Sequence, residues 1–326
     1  MSTALYVIQL SVMASCILLW MWRFRVARSD GSILPTCEQQ VSPLGLLDIG
    51  ATVFVFFVLQ TLMLLPIYLF MGFGPSELQN TADLPADQML ELSGWLMMSQ
   101  LAATVAATFW FIGRHGKVQW LGSRSSLGRD LLIGLAGSLM LLPPVMLIQA
   151  LAVQFIPYTH PTLDSLADNF TGRSAAWAWI AAVGIAPVTE EFFFRGVIQS
   201  WLQRVFDHDE PKEFWFLGGP VNHELAAVPK QEIAAMVHLR FWAPILITSA
   251  LFASMHLNQG PAPIPLFFLS LGLGYLFRKS GSFVPCLVVH IVLNSISMTL
   301  LTLTIVYPEL GPPVDAEPLP SMFFVY

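Results

Sequence analysis

Eight long apolar stretches determine what this chain can fold into. They cover approximately residues 3–22, 46–73, 94–113, 131–155, 175–205, 241–257, 263–277 and 282–306. A helix needs roughly 20 apolar residues to cross a hydrocarbon core about 30 Å thick. Backbone polar groups in lipid must be paired within their own segment, and no alternating pattern indicates a barrel. The predicted fold class is therefore all-α, a polytopic transmembrane bundle of about eight helices.

The scarcity of charged residues supports a membrane environment. Of the 326 residues, 55% are hydrophobic and only 11% are charged, whereas soluble domains carry about 25% charged residues. The chain has no basic cluster of the kind that binds nucleic acid, so nucleic acid is not an expected partner. The expected partner is the lipid bilayer.

The positions of lysine and arginine predict an orientation. With the N-terminus outside, segments 23–45, 114–130, 204–240 and 278–281 all face the cytoplasm and hold thirteen of the fifteen basic residues. This asymmetry agrees with the preference of cytoplasmic loops for positive charge.

The chain is predicted to divide into three parts. Residues 1–130 contain three spans, residues 131–306 form a core, and residues 307–326 form a tail rich in proline and acidic residues. The core contains a polar insert at 207–240. The tail composition is typical of poorly ordered segments.

Two adjacent carboxylates lie inside the fifth span. Glu190 and Glu191 are followed by Arg195 in an otherwise apolar run. On a helix, Glu191 and Arg195 share a face and can form an ion pair. Glu190 points about 100° away, which leaves it available to act as a general base. Charged groups at membrane depth are costly and usually functional.

Two further clusters place histidines in later spans. His256 follows Phe252 by four residues, and His290 precedes Asn294 by four. An imidazole and an amide on one helical face can bind a metal or donate hydrogen bonds to an oxyanion. A single buried histidine is usually a hydrogen-bonded core residue. Three such clusters in separate spans favour a functional site.

The three clusters together resemble the pattern of the CPBP family. This group of intramembrane proteases includes the type II CAAX prenyl endopeptidase and the bacterial Abi proteins. Its pattern is EExxxR, then FxxxH, then HxxxN or HxxxB, over about residues 131–306 of this chain. The matching positions are Glu190, Glu191, Arg195, Phe252, His256, His290 and Asn294. The insert at 207–240 makes the gap between the first two motifs long.

The resemblance implies hydrolysis of peptide bonds inside the membrane by an enzyme of the CAAX prenyl protease type. Glu190 would activate a water, and His256 would help to hold it. His290 and Asn294 would stabilise the oxyanion, and Glu191 and Arg195 would support Glu190. These six side chains are the predicted catalytic residues.

A metal is the open question in this scheme. The resemblance implies a metalloprotease in which zinc is held by Glu190, His256, His290 and Asn294, and imidazole and carboxylate are suitable zinc ligands. The same residues can also act without a metal, so both versions remain open from the sequence. The expected substrate is a membrane peptide or a prenylated protein, and the expected location is a bacterial inner membrane.

Two other functions remain open from the sequence. A non-catalytic immunity or scaffold protein could share the same fold, although the intact motif residues argue mildly against it. A proton-coupled transporter could use Glu190 and the histidines as a relay, and it would predict inverted repeats, which are not visible in the sequence.

Overall fold

The computed structural model describes residues 2–30, 33–34, 41–72, 84–116, 127–156, 166–167, 170–207, 211–219 and 234–307. These residues form helices and no strand, which confirms the all-α prediction. Each of the eight predicted spans corresponds to one helix, and one short helix follows the fifth. In chain order the helices are α1 (Ser2–Asp30), α2 (Leu46–Met71), α3 (Ala86–His115), α4 (Leu127–Ala152), α5 (172–207), α6 (Lys212–Leu217), α7 (Ala234–Ser254), α8 (Pro263–Ser280) and α9 (Val284–Val306).

Several helices have the length and composition needed to cross a membrane. Within the described residues these are α2, α3 from Gln88 onward, α4 and α9. The exposed side chains of α2 include Phe54, Phe57 and Phe70, each about two thirds exposed. Large exposed apolar side chains of this kind are suited to lipid and not to water. The chain is therefore an integral membrane protein, and membrane crossing by the other four long helices stays a prediction.

The segments predicted to be cytoplasmic meet at one end of the helices. Arg114, at the end of α3, pairs through Nε with Oδ1 of Asp48 near the start of α2, at 3.0 Å. Its Nη2 also donates to the carbonyl of Leu217 at 2.7 Å. Arg278, near the end of α8, donates to Asp207 at the end of α5 at 2.8 Å. The predicted grouping of these segments is thus present in the structure, and their assignment to the cytoplasm stays a prediction.

Part of the polar insert and the predicted tail after residue 307 lie outside the described residues. Of the insert, the structure describes 207, the stretch 211–219 that contains α6, and the residues from 234 onward. Residues 208–210, 220–233 and 308–326 lie outside it. The predicted division at residues 130 and 306 stays a prediction.

α5 contains two π segments within its α-helical length. It begins as an α-helix over Gly172–Trp179 and becomes a π-helix over Ile180–Ile185. It returns to α over Ala186–Glu191, then forms a second π segment over Phe192–Gln199 before the final α turns, Ser200–Asp207. Proline has no N–H and its ring crowds the preceding turn. Pro187 lies just after the first π segment, where the wider winding accommodates it.

Two apolar clusters hold the middle of α5 in place. Phe194 packs into the largest core, which lies where α4, α7, α8 and α9 meet. Phe192 packs into a second cluster with Phe111 of α3. Because Phe192 and Phe194 lie directly after the two glutamates, this packing on both sides fixes the positions of the carboxylates.

Glycines allow α4 to approach its neighbours closely. A Cβ added to Gly134 would lie 2.6 Å from the Cβ of Val288 on α9. A Cβ added to Gly272 of α8 would lie 2.6 Å from Leu141 of α4. Small residues at helix contacts are a common means of tight packing in membranes. This packing brings α8 and α9, which carry site residues, against the same helix.

Candidate active site

The two adjacent glutamates occupy different environments. Both lie on the short α segment Ala186–Glu191, between the two π segments of α5. The side chain of Glu191 is fully buried, and that of Glu190 is 28% exposed. The predicted divergence of the two side chains is therefore present, with Glu191 inside the protein and Glu190 partly accessible.

Glu191 and Arg195 form the ion pair predicted from their spacing. Nε of Arg195 donates to Oε2 of Glu191 at 2.9 Å, and both side chains are fully buried. Nη2 of Arg195 donates to the hydroxyl of Ser270 on α8 at 2.9 Å. The guanidinium carbon lies 5.6 Å from the ring centroid of Phe252. The buried carboxylate thus has a compensating charge that is itself held from two other helices.

His290 connects this ion pair to Glu190. Its Nδ1 lies 2.9 Å from Oε1 of Glu191. An ionised carboxylate can only accept, so Nδ1–H of His290 donates in this hydrogen bond. Nε2 of the neutral ring then carries a lone pair and lies 3.8 Å from Oε2 of Glu190. Glu191 was expected to support Glu190, but its side chain contacts Arg195 and His290, so its direct effect is on the histidine.

His256 is held in the same tautomer by a different partner. Its Nδ1 lies 2.9 Å from the carbonyl oxygen of Phe252, one turn earlier. Because a carbonyl oxygen can only accept, Nδ1 of His256 is the donor and Nε2 of the neutral ring is left free to accept. The Phe252 ring also lies next to both imidazoles, with centroids 5.1 Å from His256 and 6.0 Å from His290.

A cavity of about 270 Å³ brings these side chains together. Its polar lining includes Glu190, His256, Gln259 and His290. Much of the remaining lining is apolar and comes from α3, α5 and α9, including Leu90, Ala182 and Met298. A mainly apolar cavity with a few convergent polar groups is the usual form of a ligand site.

Asn294 lies beside the first π segment of α5. Its side chain is buried, and Nδ2 donates to the carbonyl of Ala182 at 2.6 Å. Ala182 belongs to that π segment. The residues that line the cavity do not include Asn294, and its Oδ1 is buried without a hydrogen-bond partner. Nδ2 therefore holds α9 to α5, and the oxyanion role of Asn294 stays a prediction.

The predicted zinc site has support from the types of its side chains, since imidazole and carboxylate suit zinc. Among the described residues, no three histidine, cysteine, aspartate or glutamate side chains lie together in a way that could hold a metal ion. Oδ1 of Asn294, the atom of this residue that would bind a metal, is buried without a partner, but Asn294 does not line the cavity. Zinc stays a prediction, and the chemistry proposed for the cavity does not depend on it.

Two polar residues near the site escaped the sequence analysis. Ser270 lies inside the apolar seventh span, where a lone buried hydroxyl is the only signal. Gln259 lies three residues after His256, between two predicted spans. Neither residue belongs to a motif, so neither was distinguished from ordinary helix or turn residues.

Comparison with known proteins finds a family model that is similar to the segment carrying the site. Residues 172–296 match the family model described as type II CAAX prenyl endopeptidase Rce1-like. No curated protein matches the chain, and no solved structure matches it. The matched segment contains every motif residue from Glu190 to Asn294. The resemblance to the CPBP family is thus confirmed over this segment, and it supports a CAAX-type intramembrane protease in general terms.

Proposed function

From this family match and the geometry of the cavity, we propose that the chain is an intramembrane endopeptidase that uses a water activated by Glu190. The observation that carries the proposal is the meeting of Glu190, His256 and His290 at one cavity inside the helices. Three side chains of these types, in a mainly apolar cavity, match what amide hydrolysis requires. The reaction needs a base, a positioned water and a donor directed at the developing oxyanion.

Glu190 takes the role of the base. Its carboxylate is partly accessible and lies on the cavity wall. It accepts a proton from water while the water oxygen attacks the carbonyl carbon of the scissile peptide bond. His256 assists by accepting a hydrogen bond from the same water at Nε2. When the tetrahedral intermediate collapses, the proton on Glu190 passes to the leaving amine, which returns the carboxylate to its starting state.

His290 takes the role of the oxyanion donor. Glu191 accepts a hydrogen bond from Nδ1–H, and its charge would stabilise the imidazolium form of the ring, as the carboxylate of a catalytic triad does for its histidine. The ring takes up a proton from water at Nε2 before the peptide binds and keeps that proton through the cycle, so Nε2–H of His290 can donate a hydrogen bond to the oxyanion. Arg195 balances the charge of Glu191, so the ring is held by a buried network that does not itself touch the substrate.

The position of the site limits where a substrate can bind. Glu190 and Glu191 lie near the middle of α5, so the scissile bond must enter the space between the helices. We propose a membrane peptide or a prenylated protein with a CAAX box as the substrate, and a bacterial inner membrane as the location. Support for this substrate comes from the family match alone.

A cleavage assay on the purified protein tests this function. Detergent-solubilised wild type would be incubated with a panel of membrane peptides, one of them a farnesylated CAAX peptide, with and without a chelator. Glu190→Ala should abolish cleavage or lower its rate by about 10²–10⁴-fold, which is the usual contribution of a positioned base. Glu213→Ala is a suitable control because Glu213 is exposed on α6 and should leave the rate unchanged.

The outcomes separate the competing functions. Cleavage that persists in Glu190→Ala contradicts the proposed mechanism. Absence of cleavage for every peptide contradicts the protease function for this panel and favours a non-catalytic membrane protein. Cleavage that the chelator removes would show that a metal is required, although the described residues do not form a metal cluster.

A further inference from the structure

Gln259 has a buried polar atom for which the folded chain provides no partner. The residue lies in the turn that joins α7 to α8, and its side chain lines the cavity. The oxygen Oε1 is buried and makes no hydrogen bond. Most buried polar side-chain atoms in folded proteins are paired, so an unpaired one inside a functional cavity calls for a ligand.

The backbone of the turn holds this side chain in place. The N–H of Gln259 donates to the carbonyl of His256 at 3.0 Å. The carbonyl of Gln259 accepts from the N–H of Ala262 at 3.2 Å. Because its own backbone groups are satisfied, the turn does not need the side-chain amide for its folding.

The other neutral polar side chains that line the cavity are already engaged. The hydroxyl of Ser93 donates to the carbonyl of Met89 at 2.8 Å. Asn294 does not line the cavity; its Nδ2 donates to Ala182, and its Oδ1 is buried without a partner. The two imidazoles use Nδ1 for Glu191 and Phe252. Among the neutral polar side chains that line the cavity, Gln259 therefore has an acceptor, Oε1, without a partner.

We propose that Gln259 binds the backbone of the peptide substrate beside the scissile bond. A primary amide offers both an acceptor and donors, which is the complement of the N–H and C=O that a peptide chain presents. The inference rests on the proposed protease function and adds a substrate-binding residue outside the three motifs. It also specifies what is recognised, namely the main chain of an extended peptide.

The test compares two neighbouring substitutions in the full-length protein. Gln259→Met keeps the shape of the side chain and removes its hydrogen-bonding groups. Asn258→Met makes a similar change at the preceding residue of the turn, which is exposed. Both would be assayed on the peptide that wild type cleaves best, and binding of the farnesylated CAAX peptide to each protein would be measured by fluorescence titration.

Gln259→Met should raise KM, and the dissociation constant of the farnesylated peptide, by about tenfold, as expected for the loss of one or two hydrogen bonds. Its kcat should stay within about twofold of wild type, since the contact exists in the ground state as well as in the transition state. Its unfolding temperature should be equal to that of wild type or higher, because an unpaired buried oxygen has been removed. Asn258→Met should change none of the three.

Several results would overturn the inference. An unchanged KM and dissociation constant in Gln259→Met would show that the amide does not contact the peptide. A fall in unfolding temperature would show that the amide serves the fold. If Glu190→Ala abolishes cleavage while Gln259→Met behaves as wild type, the inference fails and the protease function stands. If wild type neither cleaves nor binds any peptide of the panel, both fail.

Discussion

The middle of α5 and its two ends all carry ion pairs, but the pairs differ in how completely they are enclosed. Near the start of the helix, Arg173 is 71% exposed and pairs with Glu91 of α3. At its last residue, Asp207 is partly exposed and pairs with Arg278. In the middle, Glu191 and Arg195 are fully buried and bind His290 and Ser270 as well. In the middle pair, these additional hydrogen bonds reach α8 and α9.

The difference follows from the surroundings of each pair. An exposed ion pair can exchange its partner for water, so it contributes little to stability. A buried pair cannot, and each unmatched charge in it would carry a large desolvation cost. The middle of α5 therefore requires additional partners, and the protein uses one of them to orient His290. The ionic network that makes the burial tolerable also holds a proposed catalytic side chain.

The largest expected effect comes from removing the buried cation. Arg195→Met should lower the free energy of unfolding by about 3–5 kcal/mol, because Glu191 is left buried without a compensating charge. Denaturation of the detergent-solubilised protein, monitored by the circular dichroism of its helices, would measure this free energy. A double variant, Glu191→Leu with Arg195→Met, should recover part of the loss. A loss below about 1 kcal/mol in the single variant would mean that the middle pair behaves like the end pairs.

A smaller effect is expected from the outer member of the network. Ser270→Ala should cost about 1.5–3 kcal/mol, the usual contribution of a hydrogen bond to a charged group. Nη1 of Arg195 already lacks a partner, so the guanidinium would lose one of its few contacts. The control is Ser200→Ala, since Ser200 is buried but bonds within α5 to the carbonyl of Gly196. Equal losses in both variants would show that Ser270 acts only as a small buried residue.

The smallest effect is expected at the exposed start of α5. Arg173→Met should change the free energy of unfolding by about 0–1 kcal/mol, and high salt should remove most of the difference between the variant and wild type. The same denaturation experiment, repeated at low and at high salt, would measure this change in free energy and its dependence on salt. A loss of several kcal/mol, independent of salt, would contradict the contrast drawn between the middle and the ends of this helix.

The sequence was sufficient for features that depend on local spacing. Apolar runs predicted the eight long helices, and the spacing of Glu191 and Arg195 predicted their ion pair. Contacts between helices were not predicted in the same detail. That Glu191 would bind His290, or that Asn294 would bind Ala182, depends on how distant helices are rotated against each other. No spacing rule within one helix contains that information.

The π segments of α5 and the polar residues outside the motifs were also not predicted from the sequence, for different reasons. Residue preferences describe α-helix formation well but do not distinguish a π segment, so the two in α5 were not expected. Ser270 was visible as a lone hydroxyl in an apolar run, and the cost of burying it could have drawn attention to α8. Gln259 gave no comparable signal, because glutamine in a turn between two helices is ordinary.

The two π segments of α5 have a consequence for how tolerant this helix is to changes in length. A π segment is equivalent to an α-helix with an inserted residue, and one residue corresponds to a rotation of about 100°. Because a π turn takes up about one more residue than an α turn, deleting a single residue between 180 and 185 would let the segment return to regular α winding while Arg173 keeps roughly its orientation relative to the glutamates. The change would be local, at the π segment whose Ala182 carbonyl accepts from Asn294. A single-residue deletion should therefore be tolerated better inside this π segment than in the adjoining α segments, where it would turn Arg173 by about 100°.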